Sequence, residues 1–414
     1  MTYIEFFGQD VLENLCTCLA MAPDKVILVG DNRKILAAHA ARYERLLRAR
    51  REVVDFDFVA VDRNNISSIL EALERIIQQE PDCVFDLTGG GDLFLVAIGI
   101  LSERYRDRHL QMHRFNLRNN TVYDCDLDGL VTVGGSAPAI GVEEMVYAAG
   151  GEVLFEEDQP GGTRTWDWTE EFIGQIRTMW ELCRRNPRVW NLQTWMFANV
   201  EAFNPDPENE MTTTVPFPNL EAHLAEHGAW LYLNDYLIKD LYRAGLITAF
   251  NGVGENLSIT YCNPQVKRCL TVGGLLLELW VCLLARAAKE TDGTPSYHDV
   301  MTGVVIDWQA DDSDGADVLN EIDLILMHQM TPVFISCKNG EVSNEELYKF
   351  NTVAERFGGK YAKKVLIATA LDPEDLSTRY LLSRADAMNI RVVTDLQRLE
   401  PTAAVRRIRN LWKM

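Results

Sequence analysis

The chain has 414 residues, is 47% apolar and 24% charged, and carries a formal net charge of −21. That length favours two or three domains, and the composition is that of ordinary globular cores, not of a disordered or fibrous chain. The acidity argues against a general nucleic-acid coat, and the nine scattered cysteines match no zinc or redox spacing and read as reduced thiols.

The acidic start MTYIEFFGQDVLENL lacks a secretory pattern. The longest apolar run, residues 275–285, is broken by Glu278 and is too short to span a bilayer. A cytoplasmic protein with no membrane partner is therefore expected. The charge is uneven: residues 336–414 carry 14 basic against 10 acidic residues, and residues 151–335 carry 11 against 28. The basic surplus sits in the last stretch.

Residues 1–150 alternate strand-like runs (4–7, 25–30, 53–61, 83–89) with helical spacing (35–50, 66–78). Alternating strands and helices imply βαβ units and a mainly parallel, Rossmann-like sheet in an α/β protein. Residues 151–168 hold Pro160-Gly161-Gly162 and read as a linker. Up to residue 262 the pattern predicts helices and one hairpin. A helix over 232–245 ends at Gly245, and two β-rich runs flank the turn NGVGEN, residues 251–256. Helix followed by hairpin reads as a winged-helix-like segment, 151–262 with its linker. Residues 263–414 form the third block. A buried helix over 273–290 is followed by three strand-like runs around 302–309, 321–328 and 332–338. A helix over 343–359, opened by Ser343, leads to two further strands.

The central observation is the pair of strands carrying Glu321 and Asp323 on one side and Ser336, Cys337 and Lys338 on the other. Strand alternation puts Glu321 and Asp323 on one face, and Ser336 and Lys338 on one face. Acids and a lysine rising from apolar strands need partners, and a divalent cation is one good partner. Glu278 adds a third acid, flanked by Leu277 and Leu279 in a buried helix.

GGLLLE, NEIDLI and PVFISCKNGE resemble, in that order, the restriction-endonuclease-like PD-(D/E)xK core. ELYKFNTVAERFGGKYAKKVLIATA resembles the version found in CRISPR ancillary nucleases, where a Rossmann-like CARF domain precedes the nuclease. The resemblance covers nearly the whole chain. It implies 1–150 as a CARF-like ligand-sensing domain and 263–414 as a nuclease domain. It also implies metal-assisted hydrolysis of DNA or RNA phosphodiesters in type III CRISPR antiviral defence, with little sequence preference. Asp323 and the backbone carbonyl of Cys337 would ligate Mg²⁺ or Mn²⁺. Glu278 would ligate the ion or position a water, and Lys338 would orient the attacking water. Ser336 stands where the motif usually has an acid, a charge that Glu321 or Glu278 could supply. The chemistry suits the residues: oxygen donors prefer hard cations, and a metal plus a lysine stabilise negative charge developing on phosphorus.

Two N-terminal loops follow strands. One contains Gly30, Asp31, Asn32 and Arg33; the other contains Thr88, Gly89, Gly90, Gly91 and Asp92. Ligands bind beyond the carboxyl ends of strands in open α/β sheets, and glycine N–H groups at a helix start suit phosphate. Neither a G-x-G-x-x-G nor a Walker A pattern is present. Resemblance to CARF domains implies a cyclic oligoadenylate here, the tetra-adenylate first and the hexa-adenylate second, bound on the two-fold axis of a homodimer. The runner-up function is a ligand-responsive DNA-binding regulator with a degenerate nuclease fold.

Three other patterns read as structural. His223 and His227 match an inverted zinc motif but read as surface histidines. Residues 311–317 read as a solvated acidic loop, although their spacing to Glu321 touches a calcium-loop pattern. Cys337 reads as an inert core thiol.

Overall fold

The computed structural model describes residues 1–7, 11–31, 33–50, 55–126, 129–133, 138–308, 319–340, 342–372 and 374–413. Asn32 and the acidic stretch 311–317 lie outside them, as does the side chain of Arg33.

Among the described residues the first sheet has seven strands in the order β3-β2-β1-β4-β5-β6-β7. They are Thr2–Phe6 (β1), Lys25–Gly30 (β2), Asp55–Ala60 (β3), Cys83–Asp86 (β4), Gln111–Asn116 (β5), Thr121–Asp126 (β6) and Gly129–Thr132 (β7). The first five run parallel, and β6 and β7 fold back antiparallel. β1, β2 and β4 are almost continuously buried, as central parallel strands covered on both faces must be. Helices Val11–Met21 (α1), Arg33–Arg50 (α2), Ile66–Gln79 (α3), Asp92–Arg104 (α4) and Val142–Ala148 (α5) connect and cover them. α3 shows the local logic. The Asn65 side chain caps it by accepting from the N–H groups of Ser67 and Ser68, and Ile69, Leu73, Ile76 and Ile77 form its buried stripe. The chain steps outward from β1 to β3 and then returns to the other side of β1. The reversal lies between β1 and β4, where open α/β sheets bind ligands.

The middle segment has Glu152–Leu154 (β8), Glu170–Arg185 (α6), Pro187–Glu201 (α7), Thr212–Pro216 (β9), Phe217–Glu226 (α8), Asp235–Arg243 (α9), Ile247–Asn251 (β10), Asn256–Tyr261 (β11) and Pro264–Thr271 (α10). The hairpin β10–β11 forms as its turn signal predicts, Gly245 follows α9 at φ +71°, and β9 adds a third strand beyond β11.

The last block has Leu275–Ala287 (α11), Asp299–Asp307 (β12), Leu319–His328 (β13), Thr331–Lys338 (β14), Asn344–Gly358 (α12), Lys363–Ala368 (β15), Leu376–Ala387 (α13), Ile390–Val393 (β16) and Pro401–Arg409 (α14). Its sheet has the order β16-β15-β14-β13-β12-β8. β12, β13 and β14 form an antiparallel meander, and β14, β15 and β16 run parallel.

Two features differ from the sequence reading. Residues 151–168 are more than a linker: β8 pairs with β12 at the edge of the C-terminal sheet, and Val305 N–H donates to Thr163 Oγ1 at 2.8 Å. The Pro-Gly-Gly signal is genuine but marks only the turn after β8. The middle segment is also more closely joined to the last block than a separate unit over 151–262 would be. One continuous core joins its helices to α11 and to one face of the C-terminal sheet, with Trp180 stacked on Trp280 at 5.4 Å. The other face of that sheet packs with α12, α13, α1 and α5. Among the described residues no single helix is long and apolar enough to cross a membrane; α10 and α11 pass such a test only as a pair bent by 119°, and both belong to this core.

Candidate functional site

α11 is buried almost all round, yet its first turn carries Glu278. The helix starts after Gly274, which has φ +88° and would place a Cβ 3.6 Å from Glu278 Oε1. A carboxylate in the first turn is favoured by the helix dipole. β13 presents Glu321 and Asp323. Opposite them, the β12–β13 register passes from Thr302↔Leu324 to Val304↔Ile322, with Gly303 between at φ +59°. A Cβ there would stand 3.6 Å from Glu321 Oε1, so the glycine leaves room beside that acid.

On the other side, the paired register of β13 and β14 ends at Leu324↔Ile335, and the next residues carry the chemistry. Cys337 N–H donates to Asp323 Oδ2 at 2.5 Å, and Ser336 Oγ donates to the same oxygen at 3.2 Å. Lys338 Nζ forms an ion pair with Glu346 Oε1 at 3.2 Å. Glu346 is fixed in turn by a capping box with Ser343 at the start of α12. The six C-terminal residues singled out in the sequence thus occupy one end of the β13–β14 pair and the facing turn of α11.

Their charges strain against one another. Burial, then Asp323 and Glu321, push the Glu278 carboxyl well above its ordinary range, and Lys338 pulls it back. Burial and Asp323 raise Glu321, while Arg268 and Lys338 lower it. Burial raises Asp323 despite the Cys337 N–H, Lys338 and Ser336. Burial works against the charged form of Lys338, but Asp323 and Glu346 outweigh it and the ammonium is held above its usual range. Three acids around one lysine leave an excess of negative charge that a cation would relieve. The donor set, all oxygen, is that of a hard divalent ion. Among the described residues no three His, Cys, Asp or Glu side chains already converge at ligating distance. The residues therefore fit Mg²⁺ or Mn²⁺ in charge and donor type, with side-chain rotation still required.

The sequence reading missed a basic pair at this end. Arg268 of α10 is close enough to lower Glu321 and sits 3.6 Å from Glu156, which Arg164 also approaches at 3.4 Å. Only folding brings Arg268 near Glu321 and gathers 156 and 164 around Arg268; no spacing motif marks them. Cys337 is buried among core side chains and its thiol is pushed up by burial. His227 Nδ1 bonds the His223 carbonyl at 3.0 Å, a contact within one helix.

In the first sheet, Thr88 follows β4 at the strand-order reversal. Its N–H and Oγ1 both donate to Asp86 Oδ1, at 2.9 and 2.5 Å, while Phe115 N–H donates to Thr88 Oγ1 at 2.8 Å. Thr17 Oγ1 lies 3.1 Å from the same hydroxyl. Gly89 is buried, and Gly90 turns the chain at φ +92°, where a Cβ would lie 2.6 Å from Phe6 Cβ. Gly91 is open and caps α4, and exposed Asp92 begins that helix. Exposed backbone N–H groups there suit an anion, though Asp92 competes for the same dipole. Gly30 and Asp31 end β2, two strands away, so the two predicted loops stand about 10 Å apart across β1. Asp31 approaches Arg63 at 3.9 Å.

Below Thr88 lies a feature the motifs did not signal. Glu5 and Asp86 are register partners on β1 and β4, and both are buried. Burial and Asp86 push Glu5 well up, and burial raises Asp86. Cys18 Sγ donates to Glu5 Oε1 at 3.0 Å, and Asp86 Oδ2 is buried without a hydrogen-bond partner.

A Rossmann-like sheet, a three-stranded winged unit and a mixed six-stranded sheet with acids and a lysine at one end make up the α/β fold expected from the sequence. Solved structures share it from end to end. Can2 from Sulfobacillus thermosulfidooxidans, in complex with cyclic tetra-adenylate, matches with a TM-score of 0.68 and 16% identity over 99% of each chain. Protein VC1899 from Vibrio cholerae matches with a TM-score of 0.71 and 15% identity over 99% of this chain and 98% of its own. No family model and no curated protein matches the sequence.

Proposed function

We propose that this protein is a cyclic-oligoadenylate-activated, metal-dependent nuclease of type III CRISPR antiviral defence. The observation that carries the reading is the clustering of Glu278, Glu321, Asp323 and Lys338 at one sheet end, with Asp323 fastened to the backbone of Cys337. Residues 1–150 are assigned to ligand sensing, 151–262 to the linking winged segment and 263–414 to cleavage. Thr88, Gly89, Gly90, Gly91 and Asp92, with Gly30, Asp31, Asn32 and Arg33, are assigned to the ligand. Cyclic tetra-adenylate, the ligand in the Can2 structure, is the first choice and the hexa-adenylate the second. A homodimer would give a two-fold ligand a two-fold site.

Glu278, Asp323 and the Cys337 carbonyl would hold Mg²⁺ or Mn²⁺, which supplies Lewis acidity and lowers the pKa of water. The remaining work falls to the chain. Lys338, cationic and restrained by Glu346, orients the attacking water and offsets charge on the pentavalent phosphorus. The water oxygen bonds to phosphorus as the bond to the leaving oxygen breaks; the water gives up a proton to solvent and the leaving oxygen takes one up from solvent. Glu321 supplies the negative charge missing at Ser336. Arg268 stands where it can approach a substrate phosphate. For the sensor to act as a switch, the ligand must bind the active arrangement more tightly than the inactive one.

Incubation of the purified protein with DNA and RNA, with Mn²⁺, Mg²⁺ or EDTA, tests the class. Cleavage that vanishes in Asp323→Ala and Lys338→Ala supports it. Binding without cleavage would instead favour a ligand-responsive regulator.

A further inference from the structure

α12 and α13 pack over the same face of the C-terminal sheet. A groove of about 450 Å³ opens between them, lined by Asn344 and Tyr348 from α12 and by Tyr380, Ser383 and Arg384 from α13. Two large aromatic rings stand in water there: Tyr348 is 47% exposed and Tyr380 is 68% exposed. The Arg384 guanidinium lies over the Tyr348 ring at 5.6 Å and donates to its hydroxyl. No carboxylate is among the described residues lining the groove. Neighbouring acids are already compensated: Glu345 by Lys349 at 2.7 Å, Glu374 by Arg379 at 3.2 Å and Glu346 by Lys338. In a chain of net charge −21, an exposed cation on an aromatic platform without an acid stands out.

We propose that this groove holds unpaired bases of a single-stranded nucleic acid running to the Asp323–Lys338 centre. The proposal rests on the nuclease reading. Proximity places it there: Glu346, the partner of Lys338, lies in the first turn of α12 between Asn344 and Tyr348 but leaves the opposite side of the helix from them, so groove and lysine stand about one helix diameter, roughly 10 Å, apart around the N-terminal end of α12, and a single strand passing over that end reaches both. Chemistry selects the ligand. Exposed tyrosine faces take nucleobases of any sequence, and a guanidinium beside them takes the phosphate. A duplex hides its base faces and would leave Tyr380 unused. Asn344 and Ser383 offer polar groups without a fixed donor pattern, in keeping with low sequence preference.

The test uses the full chain in EDTA, with and without cyclic tetra-adenylate. Fluorescence anisotropy would follow labelled thymidine or uridine oligomers and abasic strands of equal length. The intact strand should bind more tightly than the abasic one. Tyr348→Ala and Tyr380→Ala should weaken the intact strand by roughly fivefold or more and leave the abasic strand unchanged, while Tyr→Phe at either position retains binding. Arg384→Gln should weaken both and lower the salt slope by about one. Wild-type binding by folded Tyr→Ala variants, equal loss on both strands, failure of the parent protein to bind either strand, or a change in oligomeric mass without a change in binding would each overturn the proposal. A protein that shows this pattern but never cleaves keeps the groove and loses the nuclease reading; a protein that cleaves without the pattern does the reverse.

Discussion

Cys337 N–H donates to Asp323 Oδ2 at 2.5 Å, so the central acid of the site is fastened to the adjacent strand at the point where the paired register stops. One carboxylate oxygen is thereby used structurally and the other is left for the site. Asp323→Ala should remove cleavage by at least about 100-fold. It should also cost about 1–3 kcal/mol of stability by leaving a part-buried N–H without its acceptor. Cleavage rates and denaturant melts of the same preparation separate the two effects.

Lys338 and Glu346 form an ion pair at 3.2 Å beside Asp323. Lys338→Ala should abolish cleavage while leaving the melting temperature within a few degrees, because a half-exposed ion pair contributes only about 0–1 kcal/mol. Glu346→Gln should retain most activity, since Asp323 still faces the lysine. A Glu346→Gln protein as inactive as Lys338→Ala would move Glu346 into the machinery itself.

Ser336→Asp places a carboxylate beside Asp323, which Ser336 now contacts as a donor at 3.2 Å. Without metal the like charges should destabilise the protein; with Mn²⁺ the added ligand should raise affinity. The expected result is a larger metal-induced rise in melting temperature than in the parent chain. An equal rise would place the ion away from β14.

In the first sheet, Gly90→Ala should lower stability by about 1–2 kcal/mol for its positive φ alone, with a further cost from the Phe6 Cβ only 2.6 Å away. Gly91→Ala, in open space, should fold as the parent does. Titration with cyclic tetra-adenylate should then show a larger loss for the Gly90 variant.

Glu5 gives a pH dependence of known sign. Its folded pKa lies well above its ordinary value of 4.5. The stability it contributes is therefore complete below about pH 4.5 and is lost as pH rises through the folded value. Glu5→Gln keeps a donor toward Asp86 without a proton to lose. Stability measured from about pH 5 to pH 9 should fall less steeply for the variant than for the parent. Parallel profiles would contradict the raised Glu5 carboxyl.

Much of this was legible in the sequence because periodicity and capping act locally. The runs 25–30, 321–328 and 332–338 became β2, β13 and β14, and Ser343 began α12 as its capping box predicts. The C-terminal candidate residues could be picked out because acids and a lysine interrupted apolar strands. What depends on long-range pairing was not legible. β8 joins a strand some 150 residues away, β5 to β7 carry weak alternation, and Arg268 reaches Glu321 only through the packing of α10. Tyr348 and Tyr380 are 32 residues apart on separate helices, and no spacing rule would pair them.

The most direct measurement is a cleavage assay of the parent protein and Asp323→Ala on single-stranded and duplex DNA and on RNA, in Mn²⁺, with and without cyclic tetra- and hexa-adenylate. The account predicts metal-dependent cleavage by the parent that rises with one cyclic oligoadenylate and is absent in the variant. Cleavage that no cyclic oligoadenylate alters, or that survives Asp323→Ala, would contradict it.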